Sequence, residues 1–298
     1  MMDIPLDSTI KPGDYKKLAR VLTLIENDLP GSAEILSNLK ISSKIPVIGI
    51  TGPPGAGKST LLNFLISKLS EDGKRIAVIV IDPTSPFTHG SLLGDRIRMK
   101  DQFNKQQVYI RSIATRGSLG GLSAKTLEII DVLKSSGFDY ILIETVGVGQ
   151  SEVEIAGMAD MTIVVLVPEA GDEIQSIKSG LMEIADIFVV NKADRPGAAA
   201  FINTIKKFVH QKSREIPVVS TIATKNEGVD ELAALIVHYG DHSTMQKKHL
   251  LVQKAWMLIQ NKLMEKIDKV DLKQKIDVSS QKGDFNIYRF VEDYFKNS

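Results

Sequence analysis

Gly52-Pro53-Pro54-Gly55-Ala56-Gly57-Lys58-Ser59-Thr60 is the stretch on which the fold turns. It follows the apolar run Ile45-Pro46-Val47-Ile48-Gly49-Ile50 and precedes Leu61-Leu62-Asn63-Phe64-Leu65-Ile66-Ser67-Lys68-Leu69. The first run reads as a buried strand and the second as a helix. The residues between them therefore form a G-x-x-x-x-G-K-[ST] phosphate loop in the strand–loop–helix setting that the motif requires. Glycine lets backbone N–H groups converge on phosphate oxygens, and the new helix aims its positive end at the same place. Gly52, Gly55, Ala56, Gly57 and Thr60 are expected to line a nucleotide's phosphates. Lys58 is expected to reach the β- and γ-phosphates, and the Ser59 hydroxyl to ligate Mg²⁺. The alternative, an ordinary glycine-rich turn, does not account for the flanking elements.

Outward from this loop, residues 44–240 alternate strand and helix. Strands are predicted at Val47–Ile50, Ile76–Ile81, Val108–Ile113, Tyr140–Glu144, Thr162–Val167, Ile187–Val190 and Pro217–Thr221. Most are continuous Val/Ile runs, the mark of a parallel sheet buried on both faces. The fold class is thus α/β, with a doubly wound, mostly parallel sheet. A helical arm, residues 1–43, precedes it. There Tyr15, Leu18, Leu22, Ile25 and Leu29 recur at helical spacing, Pro30-Gly31 ends the helix, and Ser32 is placed to cap a second one. A helical segment, residues 241–298, follows. Val252, Trp256, Ile259, Leu263, Ile267 and Val270 form one apolar stripe in it, expected to bury against core or against a second subunit.

Several acids sit where such sheets bind ligands, at the carboxyl ends of strands. Asp82 ends the second predicted strand and is a Mg²⁺ candidate, the alternative being a turn cap. Asp95, in Gly90-Ser91-Leu92-Leu93-Gly94-Asp95, is a metal ligand or a helix cap. Tyr140-Ile141-Leu142-Ile143-Glu144-Thr145-Val146-Gly147 is more telling. A strand ends in an acid and glycine follows three residues later, which assigns Glu144 to Mg²⁺ and the Gly147 N–H to the γ-phosphate. Val148 then stands where a water-orienting Gln would help hydrolysis. Lys178, in Gly171–Gly180, is either a surface charge or part of a switch.

Asn191-Lys192-Ala193-Asp194 follows a late strand and reads as the N-K-x-D guanine box. The Asp194 carboxylate can accept two hydrogen bonds from guanine N1–H and its exocyclic amine, and adenine offers no such pair. Asn191 braces the site and the Lys192 stem lies along the base. Ile222 and Ala223, in Thr221-Ile222-Ala223, are placed to close over the base through backbone N–H groups.

The 298 residues are 43% hydrophobic and 24% charged, with net charge +1. Near-neutral charge gives no electrostatic case for nucleic acid or an anionic membrane. No apolar run is long enough to span a bilayer. With no cysteine and no secretory signal at Met1-Met2-Asp3-Ile4-Pro5, a cytoplasmic location is expected. His238 and His242 are four apart, but Gly240 interrupts the helix between them, so no zinc site is expected.

These residues resemble the MeaB/ArgK family, the G proteins associated with methylmalonyl-CoA mutase and related adenosylcobalamin enzymes. The resemblance runs over nearly the whole chain. It rests on the phosphate loop, Asp82-Pro83-Thr84-Ser85, Gly90–Asp95 with Arg98-Met99, Arg116-Gly117-Ser118-Leu119-Gly120-Gly121 and Gly171-Asp172-Glu173-Ile174-Gln175. Its most diagnostic piece is Glu144-Thr145-Val146-Gly147-Val148-Gly149-Gln150-Ser151-Glu152. His89 stands where the family usually has Gly, Ile222 where it usually has Ser, and the C-terminal segment matches loosely. The resemblance implies a homodimeric, GTP-hydrolysing chaperone that gates cofactor loading of an adenosylcobalamin-dependent mutase and protects it, with Lys178 in a further switch. The alternatives are a P-loop kinase or metabolic NTPase, for which the guanine box would be accidental, and a nickel metallochaperone, which would want a His/Cys site. An older label for some relatives, a lysine/arginine/ornithine transport ATPase, would not need a guanine box.

Overall fold

Seven apolar runs become seven parallel strands: β1 (Val47–Thr51), β2 (Ile76–Asp82), β3 (Val108–Ala114), β4 (Tyr140–Glu144), β5 (Met161–Leu166), β6 (Ile187–Val190) and β7 (Val218–Ser220). The computed structural model describes residues 10–82, 99, 102–114, 124–145, 154–168, 180–210, 215–239, 244–264, 267–281 and 285–296. The strand order is β3-β2-β4-β1-β5-β6-β7. From β1 the chain winds one way to β2 and β3. From β4 it winds the other way to β5, β6 and β7. The reversal falls beside β1, so a ligand crevice opens at its carboxyl end.

Helices cover both faces of this sheet. On one face α3 (Lys58–Leu69) and α7 (Val229–Tyr239) pack Leu61, Leu62, Leu65, Leu232 and Ile236 against Ile48, Ile50, Val78, Leu142 and Val165. On the other, α6 (Ala198–His210) packs Phe201, Ile205 and Val209 against Val164, Leu166, Phe188 and Val190. Alternate residues of one strand thus serve opposite faces, which is why the central strands are mostly apolar throughout.

The amino edge of the sheet carries its own polar device. The Asp139, Asp160 and Asp186 carboxylates accept from the backbone N–H groups of Arg75, Val47 and Thr162 at 2.8, 2.9 and 2.7 Å. Each satisfies a donor at or just before the start of a strand, which would be costly to bury unpaired.

The arm lies on the β3 side. Asp14 caps α1 (Tyr15–Glu26) by accepting from Lys17 N. Tyr15 stacks on Phe138 with centroids 6.2 Å apart and donates its hydroxyl to Gln106 O at 2.7 Å. Arg111 of β3 donates to Ala19 O, Thr23 Oγ1 and Glu26 Oε2. The helix ends earlier than its apolar spacing predicts. Asn27 is the C-cap, Asp28 turns left-handed at φ 50°, and Leu29 is exposed. Ser32 opens α2 (Ser32–Ser37) as its first residue, and Gly31, at φ 93°, takes the cap position.

Residues Met1–Lys254 form one compact unit and Ala255–Ser298 another. Helix α8 (Thr244–Met264) spans that division. The apolar stripe does not continue along one helix to Val270. Asp268 adopts an extended backbone, its carboxylate accepts from Val270 N at 2.7 Å, and a new helix, α9 (Lys269–Ser280), starts there. The last helix, α10 (Ile287–Lys296), opens on Asn286, whose Oδ1 accepts from Tyr288 N and Arg289 N. Among the described residues no helix is long and apolar enough to cross a membrane.

Candidate functional site

The carboxyl ends of the strands finish almost level. Ile50 pairs with Glu144, Val80 pairs with Glu144, Thr51 pairs with Val164, and Val190 pairs with Ser220. The residues immediately beyond them form the site, and most of its polar side chains are buried: Thr51, Lys58, Ser59, Glu144, Thr145, Asn191 and Thr221.

The phosphate loop leaves β1 at Gly52, whose φ of 138° suits glycine. A Cβ there would lie 2.1 Å from Val165 O, so no other residue fits without moving β5. Gly57, at φ 85°, caps α3, and its missing Cβ would lie 2.4 Å from Asn191 Nδ2. Lys58 Nζ donates to Gly52 O at 2.7 Å and Pro53 O at 2.9 Å. The ammonium is thus held inside the turn of its own loop. Gly55 is exposed at the turn's outer side, Ala56 is fully buried, and Thr60 is half-buried on α3.

Ser59 and Glu144 meet directly. The Ser59 hydroxyl donates to Glu144 Oε1 at 2.6 Å. Hydroxyl and carboxylate are hard oxygen donors side by side next to the phosphate loop. That donor set fits Mg²⁺, which takes one or two protein oxygens plus nucleotide phosphates and waters. Asp82 ends β2 opposite Ala114, and its side chain lies outside what the structure describes. Asp95, Gly147, Val148 and Lys178 also lie outside the described residues.

Asn191 joins the guanine box to the phosphate loop. Its Nδ2 donates to Ala56 O at 2.8 Å, while its Oδ1 accepts from Thr221 Oγ1 and from Ala223 N, both at 3.1 Å. Lys192 takes a left-handed backbone at φ 55°, Ala193 N donates to Thr221 O, and Asp194 is left exposed at the rim. The Ala223 N–H is therefore committed to Asn191, and the half-buried Ile222 donates its N–H to Glu227 O. Ala223 thus braces Asn191 in this structure, while Ile222 closes the turn that follows.

Three buried threonines, Thr51, Thr145 and Thr221, brace the site from beside it, by contacts that no motif announces. Thr221 holds Asn191. Thr145 donates its hydroxyl to Thr51 Oγ1 at 3.0 Å, linking the exit of β4 to the entry of the phosphate loop. Thr145 and Thr51 are 94 positions apart in the chain, so only the register of β4 on β1 brings them together.

Comparison with known proteins agrees with this geometry. Residues 18–271 match the family model of the methylmalonyl-CoA mutase-associated GTPase MeaB. A Pyrococcus abyssi protein provisionally named a GTPase is 45% identical over 284 residues, covering 93% of this chain and 87% of its own. The GTPase ArgK of Escherichia coli is 36% identical over 244 residues, covering 77% of this chain and 73% of its own. The mouse methylmalonic aciduria type A homolog, named as mitochondrial, is 38% identical over 233 residues, covering 73% of this chain and 56% of its own. A crystal structure of a LAO/AO transport system kinase superposes with a TM-score of 0.68 at 26% identity, covering 96% of this chain and 88% of that one. With its family model matched from residue 18 to residue 271, the chain belongs to the MeaB family of methylmalonyl-CoA mutase-associated GTPases.

Proposed function

We propose that this GTPase is a nucleotide-timed chaperone that controls cofactor loading of an adenosylcobalamin-dependent mutase of the methylmalonyl-CoA type. The observation that carries the nucleotide half is Asn191. One side chain ties the base-reading turn to the phosphate-binding loop, so base and phosphates are presented to a single rigid frame. The mutase half is supported by the family match and by the name of the mouse relative.

In this reading the loop N–H groups from Gly55 to Thr60 surround the phosphates and Lys58 adds positive charge. Ser59 and Glu144, with Asp82 and Asp95 in some nucleotide states, hold Mg²⁺. That ion, when bound, neutralises charge on the phosphate oxygens. Asp194 accepts from the N1–H and amine of guanine. Its exposure fits a group that waits for the base to cover it. Asp194→Ala is expected to cost roughly a hundredfold or more in GDP affinity and to erase preference over ADP. Equal wild-type affinity for GDP and ADP would refute guanine specificity.

Val148, next to the expected γ-phosphate contact, has no group to orient an attacking water, and this reading therefore expects slow intrinsic hydrolysis that a docked mutase accelerates. Supplying the missing parts in trans can be worth roughly 10³–10⁵ in rate. The test is steady-state GTP turnover with and without the mutase, for wild type and Lys178→Ala. Absence of acceleration for the wild type defeats the chaperone reading. Acceleration that survives in Lys178→Ala defeats only the switch role of that lysine.

The chaperone acts in the cytoplasm as a homodimer. On α8, Val252, Trp256, Ile259 and Leu263 stay exposed at helical spacing. Such a contiguous apolar stripe favours burial against a second copy.

A further inference from the structure

Thr145 and Thr51 form a contact that the fold does not need for its stability. Both side chains are essentially fully buried, at 1% and 0% exposure, and their hydroxyls are 3.0 Å apart. Valine has the same shape, packs equally well in a buried parallel sheet and brings no polar group to desolvate. Replacing both partners of a buried hydrogen bond by apolar isosteres is close to neutral. What the hydroxyls add is direction. One polar bond fixes the side-chain rotamer of Thr145 at the end of β4.

Where that bond sits gives it a use. Thr51 is the last residue of β1, locked against Val164 of β5, and it precedes Gly52, whose carbonyl accepts from Lys58 Nζ at 2.7 Å. Thr145 directly follows the Mg²⁺ candidate Glu144, and its own N–H donates to Ile50 O at 3.1 Å. Two residues further along the chain is Gly147, the expected γ-phosphate contact. The hydroxyl pair is thus the side-chain bond joining the root of the phosphate loop to the root of the γ-phosphate sensor.

We propose that Thr145 and Thr51 are a positioning pair for γ-phosphate recognition, setting the register between loop and sensor by which this GTPase tells GTP from GDP. The inference rests on the nucleotide reading above. GDP has no γ-phosphate, so binding of GDP does not use the register. Binding of a GTP analogue does.

The experiment compares full-length wild type with Thr145→Val, Thr51→Val, the double variant and Thr145→Ser. The affinities for GDP and for a non-hydrolysable GTP analogue are measured by fluorescence titration, with thermal melting alongside. The expected result is GDP affinity within about twofold of wild type, and roughly three- to tenfold weaker analogue binding in each valine variant, the yield of one hydrogen bond. The double variant is expected to be no worse than either single one, because both remove the same bond. Thr145→Ser, which keeps the hydroxyl, is expected to regain most of the discrimination. Parallel loss for both nucleotides, or a lower melting temperature with discrimination intact, overturns the proposal and leaves the pair a packing feature. A wild type that binds no guanine nucleotide would instead overturn the reading on which the pair depends.

Discussion

The Ser59 hydroxyl and the Glu144 carboxylate, brought from two elements, lie 2.6 Å apart in a buried setting beside the phosphate loop. The contact ties the first turn of α3 to the end of β4. Because Ser59 donates its proton, its oxygen lone pairs stay available, so this bond is compatible with the proposed Mg²⁺ site.

Ser59→Ala and Glu144→Gln separate the two roles. Glu144→Gln keeps an acceptor for Ser59 and is expected to fold normally. Both variants are expected to lose at least tenfold in Mg²⁺-dependent tightening of GDP binding, and more in turnover. Titration of GDP with Mg²⁺ and with EDTA checks this. Unchanged Mg²⁺ dependence in both would remove these residues from the metal site.

Asn191→Ala strips three hydrogen bonds at once and leaves the Thr221 hydroxyl and the Ala223 N–H without their acceptor. About 2–3 kcal/mol of stability should go, visible in urea denaturation as a lower midpoint. GDP affinity should fall with it, because the base box and the phosphate loop lose their common strut. A variant of wild-type stability would show that Thr221 and Ala223 find other partners.

Arg111 adds a polar fastening to an arm whose Leu18, Val21, Leu22 and Ile25 are already buried. Its ion pair with Glu26 is largely buried, with side chains 16% and 14% exposed, and two further acceptors on α1 join it. Arg111→Met keeps the stem but leaves Glu26 without this partner. A loss of about 3 kcal/mol is expected, seen as early proteolytic release of residues 10–30, with GDP affinity unchanged. Release at the wild-type rate would locate the fastening in the Tyr15–Phe138 stack instead.

On α8, Trp256→Glu or Ile259→Glu places a charge on the exposed apolar stripe. Light scattering at micromolar concentration should show a dimer for the wild type and a monomer for the variants, with GDP binding retained. A wild-type monomer would refute the assembly.

The sheet was legible because burial on both faces leaves most strand positions apolar. Runs such as Ile76–Ile81 and Ile187–Val190 announce themselves. Helix ends were less legible. Leu29 keeps the spacing of α1 although Asp28 has already turned the chain away, and Asp268 restarts a helix inside an unbroken apolar stripe. Both events depend on single backbone choices that periodicity averages over. In the site, the phosphate loop and the guanine box are local spacings and could be read directly. The threonines are not. Thr221 is 30 positions from the Asn191 it holds, and Thr145 is 94 from Thr51; sheet register alone creates such pairs.

The three aspartates at the amino edge of the sheet give its two rims different evolutionary freedom. Asp139, Asp160 and Asp186 act on strand beginnings, while Glu144 and Asn191 act beyond strand ends, a strand's length away. Substitutions at the amino rim are expected to change stability alone, whereas those at the other rim, Asn191 among them, are expected to change stability and nucleotide binding together.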